Sequence, residues 1–436
     1  MMRSKSQIER LIRGALGDIK SDLIVTGGRL INVYSGEILE GMEFAVLDGR
    51  ICYLGESAAH TRGDRTEILD ARGFYVSPGF TDAHSHIGHF CRPYEYLQAY
   101  LAHGTTSMVA SCDEHATVFG FQGVGLFLDE VESHPIRVYT LLSMAAPQDP
   151  LLCNTRSLSQ AEFAEGLADP RVLGLGEIVS WLRLIQGDQE ILERIEMTLR
   201  EGKIIHGHTA GARDRRLSAI AAASVSSCHE PISEREAMER LRSGYWLMLR
   251  EGTFRRDLDA TLAPIVARRL STRRLILVTD GVAPDDIEDF GHIDFVVRRA
   301  ISLGLSPVQA IQAVTLNPAT YSGLEQEIGG IAPGRFADLT LLEDLEKVRV
   351  HSTLIGGQVI ARGGESLVSR HPISLPDHTI KNHKLKPLVS PAAFQIACPS
   401  STARIRVMEL INATITSELI LQVSPSEGTL GANRNQ

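Results

Sequence analysis

Side chains able to hold a metal ion stand at the ends of five apolar runs in this chain. Asp82-Ala83-His84-Ser85-His86 closes the first, after Pro78-Gly79-Phe80-Thr81, and Glu177 follows Val172-Leu173-Gly174-Leu175-Gly176. His206-Gly207-His208, His229 and Asp280 end three more. Successive side chains of an extended segment point to opposite faces, so His84 and His86 share one face and suit a single cation. Each residue also has a plain structural reading. A histidine pair is more often surface or core, and His208 or His229 alone would be a satisfied core histidine. Glu177 could cap a helix, and Asp280-Gly281 is an ordinary turn. The run before Glu177, however, is too apolar to be exposed, so its carboxylate needs a buried partner. A pair of cations bridged by that carboxylate would supply one. His206 points to the same face as His208 and competes with it for the same role. Asp280 would bind metal and take a proton from an attacking water.

Five such ends in one chain require a scaffold that gathers strand ends. Eight strand candidates end near His84, Ala110, Ser143, Glu177, His208, His229, Leu249 and Asp280. Short continuous apolar runs such as Leu275-Ile276-Leu277-Val278 are what strands buried on both faces look like. Helical patterns separate them, at Glu190–Leu199, at Glu234–Leu241 and after Ser306-Pro307. Eight βα repeats predict an α/β chain with a (β/α)₈ TIM barrel at 78–334, its active site at the strand C-termini. A doubly wound sheet would not need eight.

Around the barrel the patterning changes. Residues 1–21 carry Ile8, Leu11, Ile12, Ala15 and Ile19 at helical spacing. Residues 22–77 and 335–365 are β-rich, with a hairpin signal at Asp48-Gly49, and predict one small composite β-sandwich. A partial β-rich domain is expected at 372–436, with strands at Ala403–Val407 and Glu418–Leu421 and an irregular polar tail from Gly428 to Gln436.

The 436 residues are 43% hydrophobic and 22% charged, with a net charge of −9. That balance gives no reason to expect nucleic acid or an anionic membrane as partner. The cluster Arg213, Arg215, Arg216 reads as a solvated loop. No apolar run is long enough to span a bilayer. The cysteines Cys52, Cys91, Cys112, Cys153, Cys228 and Cys398 form no C-x-x-C pair, so the chain reads as reduced and cytoplasmic.

Longer motifs bring a resemblance into view. Pro78-Gly79-Phe80-Thr81-Asp82-Ala83-His84-Ser85-His86 resembles the opening of the amidohydrolase superfamily. Ala313-Val314-Thr315-Leu316-Asn317-Pro318-Ala319 and Gly330-Ile331-Ala332-Pro333-Gly334-Arg335-Phe336-Ala337-Asp338-Leu339 resemble its closing segments. Within it the chain is most similar to the prokaryotic adenine deaminases, through Gly174-Leu175-Gly176-Glu177, Gly207-His208-Thr209-Ala210-Gly211, Ser226-Ser227-Cys228-His229-Glu230, Arg250-Glu251-Gly252, Val278-Thr279-Asp280 and Gly291-His292-Ile293-Asp294. The resemblance spans nearly all of residues 22–425.

It implies two divalent ions, manganese, iron or zinc. His84, His86 and Asp280 would hold one, His208 and His229 the other, with Glu177 between them. The implied reaction is hydrolysis of adenine to hypoxanthine and ammonia by a metal-bound hydroxide, with Asp280, Glu177 and His229 as the catalytic set. Glu114, Ser180, Glu230, Arg250 and Glu251 would face the purine base. A homo-oligomer is expected.

The chain departs from the family pattern in places. Where the family reads His-Ile-Glu-Ser-Ser, this chain has His86-Ile87-Gly88-His89-Phe90. Asp113 precedes Glu114 where the family has histidine, Ile178-Val179-Ser180-Trp181 replaces Val-Met-Asn, and Cys228 and Gly281 stand where it has aspartate. His89 and His115 are candidates for replacement polar contacts. The C-terminal region resembles only the start of the family's extra domain.

Two rival functions belong beside this one. The same barrel and metals would serve another aminopurine, a pterin or a cyclic amide. Cyclic amidases of the superfamily commonly bridge their metals with a carboxylated lysine, so Glu177 favours the deaminase branch. A catalytically silent relative is the other rival, against which the intact ligand set argues. There is no phosphate-cradling G-x-x-x-x-G-K-[ST] loop and no G-x-S-x-G nucleophile elbow.

Overall fold

Eight short parallel strands curl into a barrel at the centre of a computed structural model of the chain, which describes residues 3–144, 157–369, 374, 376, 390–410, 416–426 and 428–431. They are β1 (Phe80–Ser85), β2 (Thr105–Ser111), β3 (Arg137–Leu142), β4 (Val172–Leu175), β5 (Ile204–Ile205), β6 (Ser227–Cys228), β7 (Trp246–Arg250) and β8 (Leu275–Val278). β1 to β5 pair in sequence order, as do β6 to β8.

Two seams close the ring without a strand ladder. At the first, Gly207 N donates to Ser227 Oγ at 3.1 Å. A Cβ on Gly207 would lie 2.0 Å from the Ser227 carbonyl oxygen, so only glycine fits there. At the second, Asp280 N donates to His84 O at 3.1 Å and Thr279 N to Asp82 Oδ1 at 3.3 Å. Every residue of β1, β2 and β8 is buried, which explains the apolar and small-residue character that only Asp82 and His84 of β1 interrupt.

Helices cover the outside. Those predicted from periodicity extend slightly further, to Gln189–Arg200 and Glu234–Arg242. Asp188 caps the first by accepting from Ile191 N, and Ser306 with Gln309 forms a capping box before Pro307–Gln312.

Two packed sheets lie outside the barrel, one made by the N-terminal flank alone and the other by both flanks. Four strands, at Leu23–Thr26, Glu43–Leu47, Arg50–Gly55 and Glu67–Asp70, make one. The other has seven, and in it Tyr75–Pro78 runs antiparallel to Leu339–Asp344, joining the chain that enters the barrel to the chain that leaves it. Leu23, Phe44, Val46 and Ile51 of the first sheet pack on Leu30, Val76, Leu339 and Leu354 of the second. Asp48 and Gly49 both have positive φ, 53° and 75°, the geometry of a tight hairpin turn. The N-terminal helix, Lys5–Ala15, begins with a Ser4–Gln7 capping box. Leu11 and Ile19 pack against Leu47 and Cys52, whereas Ile8 and Ile12 stay at the surface.

Residues 371–436 form a separate unit. Its hairpin, Ala403–Leu410 with Thr416–Val423, contains both predicted strands. In the tail, expected to be irregular, Thr429–Leu430 pairs with Ile396–Ala397; residues 432–436 lie outside the described residues. The described cysteines are free thiols, and Cys153 lies outside the described residues. Among the described residues no helix is long and apolar enough to cross a membrane.

Candidate metal centre

The strand ends place six side chains around one point. His84 lies within β1 and His86 directly after it, while Glu177, His208, His229 and Asp280 stand just beyond β4, β5, β6 and β8. Glu177 is central. Its Oε1 lies 3.3 Å from His86 Nε2, and its Oε2 lies 2.7 Å from His208 Nδ1 and 3.2 Å from His229 Nε2. Asp280 Oδ1 lies 3.0 Å from His84 Nε2 and 3.7 Å from His86 Nε2. Ligand atoms of His84, His86 and Glu177 form one compact set and those of Glu177, His208 and His229 another, so Glu177 belongs to both.

His206 has a different position. It is fully buried, its Nδ1 lies 3.1 Å from the Tyr321 hydroxyl, and its ring stacks on His84 at 4.7 Å. It can group with His84 and His229, but the residue touching Glu177 is His208.

The electrostatics call for added positive charge. Burial pushes the Glu177 carboxyl up, but His208, His229 and His86 draw it well below the usual carboxylate range. Burial likewise opposes ionisation of Asp280, yet His84, His229 and Arg250 hold it far down. His86, lowered by burial, is carried well above its ordinary value by Glu114 and Glu177, and His208 reaches about 9 beside Glu177 against the same burial penalty. Burial and the neighbouring His84 lower His229 to about 4, although Glu177 and Asp280 oppose the shift. Four imidazoles and two carboxylates converging through ring nitrogens and oxygens fit divalent zinc, iron or manganese. Among the described residues, the buried Nδ1 atoms of His84 and His229 meet no hydrogen-bond partner.

A second layer surrounds these groups. Glu114 Oε1 lies 2.9 Å from His86 Nδ1 and 2.8 Å from His89 Nε2, an arrangement that fixes the His86 ring. Arg250, fully buried, pairs closely with Glu230 and donates to Asp280 Oδ2 at 2.8 Å. Glu230 Oε1 lies 3.5 Å from His229 Nε2. Glu251 turns elsewhere, accepting from Leu258 N at 3.3 Å. Ser180 begins the helix Trp181–Ile185 and makes no side-chain cap. His115 sets its ring edge-on to Phe127.

Sequence reasoning passed over one buried relay. Asp82 Oδ2 accepts from Thr279 Oγ1 at 2.5 Å and lies 3.3 Å from His292 Nε2, while His292 Nδ1 bonds Thr105 Oγ1 at 2.7 Å. A signal was available, because Asp82 shares the face of His84 and His86 by the same alternation.

Residues 75–360 match the model of the amidohydrolase family. The chain belongs to that family. It is 37% identical over 428 residues to an adenine deaminase of Cenarchaeum symbiosum, covering 98% of this chain and 70% of the relative. An adenine deaminase of Moorella thermoacetica is 36% identical, with 97% of this chain and 72% of the relative covered. Among solved structures, a β-aspartyl dipeptidase from Fervidobacterium islandicum superposes with a TM-score of 0.61 at 15% identity, over 80% of this chain and 100% of that one. That likeness shows the shared barrel fold of the family.

Proposed function

We propose that this amidohydrolase is an adenine deaminase, releasing ammonia from C6 of adenine and leaving hypoxanthine. The observation that carries this reading is the 37% identity to a curated adenine deaminase along 98% of the chain. Two divalent ions fit it, one held by His84, His86 and Asp280, the other by His208 and His229, with Glu177 shared. When bound, such ions supply a water acidified toward neutral pH and a Lewis acid for the ring.

The protein's own groups then do defined work. Asp280 accepts the proton of the attacking water and returns it to the departing amine. As water oxygen bonds to C6, the C6–N6 bond breaks and ammonia leaves. Arg250, donating to Asp280 Oδ2, orients that carboxylate, which His84, His229 and Arg250 together hold ionised against burial. Glu230 balances the buried guanidinium. Glu114 sets the ring of His86.

Ammonia release from adenine, measured with metal content on protein purified with manganese, tests the reading. Rapid release with about two metals per chain is expected. Bound metal without release would redirect the reading to a related aminopurine, the second choice favoured by the altered residues Gly88, His89 and Gly281. Protein that binds no metal would overturn both.

A further inference from the structure

The loop after β1 departs from the family pattern at Gly88, His89 and Phe90, and the ring of His89 turns toward the metal centre. His89 Nε2 bonds Glu114 Oε1 at 2.8 Å, and its ring stacks on His86 at 4.8 Å with a 13° tilt. Glu114 therefore braces His89 from one side. Among the described residues, no hydrogen bond reaches the other nitrogen, Nδ1. That atom lies 3.9 Å from where a Cβ on Gly281 would be. Gly281 has φ 106°, and the aspartate of the family pattern would fill the space that glycine leaves open. Gly88 similarly omits the family's glutamate, and a Cβ there would come within 3.2 Å of Glu114 and His115.

Two aromatic rings stand over this gap. Phe90 and Phe254, from the loops after β1 and β7, lie parallel at 5.3 Å and 14°. Phe254 meets His89 edge-on at 6.0 Å. Both phenylalanines are about half exposed, at 46% and 52%. Their contacts are with each other and with His89, and each leaves about half of its ring open to a ligand. Flat rings beside a polar nitrogen, on a residue three positions after His86 and stacked on its ring, match the needs of a flat heterocycle with N–H groups on its edge.

We propose that His89 determines base specificity. With Nε2 donating to Glu114, Nδ1 is the acceptor presented to an N–H of an aminopurine, while Phe254 and Phe90 cover the face of the ring. This deepens the adenine deaminase reading and rests on it. It assigns recognition to a residue that departs from the family pattern.

The test uses the full, metal-loaded chain and the variants H89S, H89Q and F254A. It measures kcat and KM for adenine, the Kd of hypoxanthine by calorimetry, and metal per chain. H89S should raise KM and Kd about tenfold with metal content unchanged, the size expected for one lost hydrogen bond. H89Q, which keeps an acceptor, should recover part of the loss, and F254A should weaken binding of both ligands. KM and Kd for H89S close to wild type, in a wild type that deaminates adenine, would overturn this inference alone. A fall in metal content in H89S would make His89 a ligand and overturn it as well. A wild type that neither deaminates adenine nor binds hypoxanthine would overturn the deaminase reading and this inference together.

Discussion

Oδ1 of Asp280 lies 3.0 Å from Nε2 of His84, across the seam where the last barrel strand meets the first. The backbone makes the same junction, with Asp280 N donating to His84 O. Asp280 holds φ at 59°, a left-handed conformation that aspartate tolerates better than most residues. Such backbone strain persists where surrounding contacts over-determine it, and here both the seam and Arg250 do so. Asp280→Asn keeps the shape but cannot accept a proton. Its kcat on adenine should fall by about 10²- to 10⁴-fold, the usual contribution of a general base. A near-normal kcat would remove Asp280 from the proton path.

Metal removal should act on stability as well as turnover. Glu177 and Asp280 are buried carboxylates that a cation would neutralise, so ions held only by the folded chain should stabilise it through mass action. Dialysis against a chelator should abolish ammonia release and lower Tm, and readded manganese should restore both. His84→Ala should reduce metal per chain. Unchanged metal content in that variant would contradict its place in the centre.

Asp82 tests the seam itself. Both of its oxygens accept from Thr279, the residue just before Asp280. Asp82→Asn puts an amide N–H₂ where an acceptor is needed, leaving buried polar groups poorly matched. It should cost about 1–3 kcal/mol in urea unfolding. An unchanged midpoint would show that the relay does not hold the seam.

Arg240 is fully buried, and among the described residues no carboxylate pairs with it. It donates to the carbonyls of Thr209 at 2.6 Å and Ala212 at 3.1 Å, and lies 3.4 Å from Cys228 Sγ. The family pattern has aspartate at position 228. Cys228→Asp is close in volume and should give the guanidinium a counter-charge, stabilising the fold by about 1.5–3 kcal/mol. A lower Tm would mean that desolvating the new carboxylate outweighs the pairing.

His134 predicts an acid-side loss of stability. Burial pushes its imidazole down to about 4, from an ordinary value near 6.5. The folded state therefore requires the neutral ring, while the unfolded chain protonates first as pH falls. Stability from this site is complete above about pH 6.5 and declines toward pH 4. His134→Asn keeps an acceptor for Ile136 N. It should flatten the dependence of Tm on pH across that window, and an identical slope in the variant would assign the effect to other groups.

The barrel was legible in the sequence because its strands are short, apolar and spaced by helical patterns. Buried parallel strands cannot alternate polar and apolar residues without burying unpaired polar groups. The polar residues that do interrupt these runs therefore stand out at the strand ends, and this is how His84, His86, Glu177, His208, His229 and Asp280 become candidates. Seam closure was not legible. The strands β5 and β6 have two residues each, and the contact of Gly207 with Ser227 depends on an absent side chain.

The choice between His206 and His208 marks where sequence stops and tertiary structure begins. Both point to one face of the same segment, and alternation treats them alike. Only the assembled barrel sets His208 on Glu177 and ties His206 to Tyr321, which is 115 positions away in the chain. The pairing of Arg250 with Asp280, the brace of Glu114 on His86 and His89, and the approach of Phe90 to Phe254 are of the same kind. Local patterning determines which residues reach the strand ends, because burial there is a property of each run. Their partners are decided by side-chain directions across a closed ring, which no single segment contains.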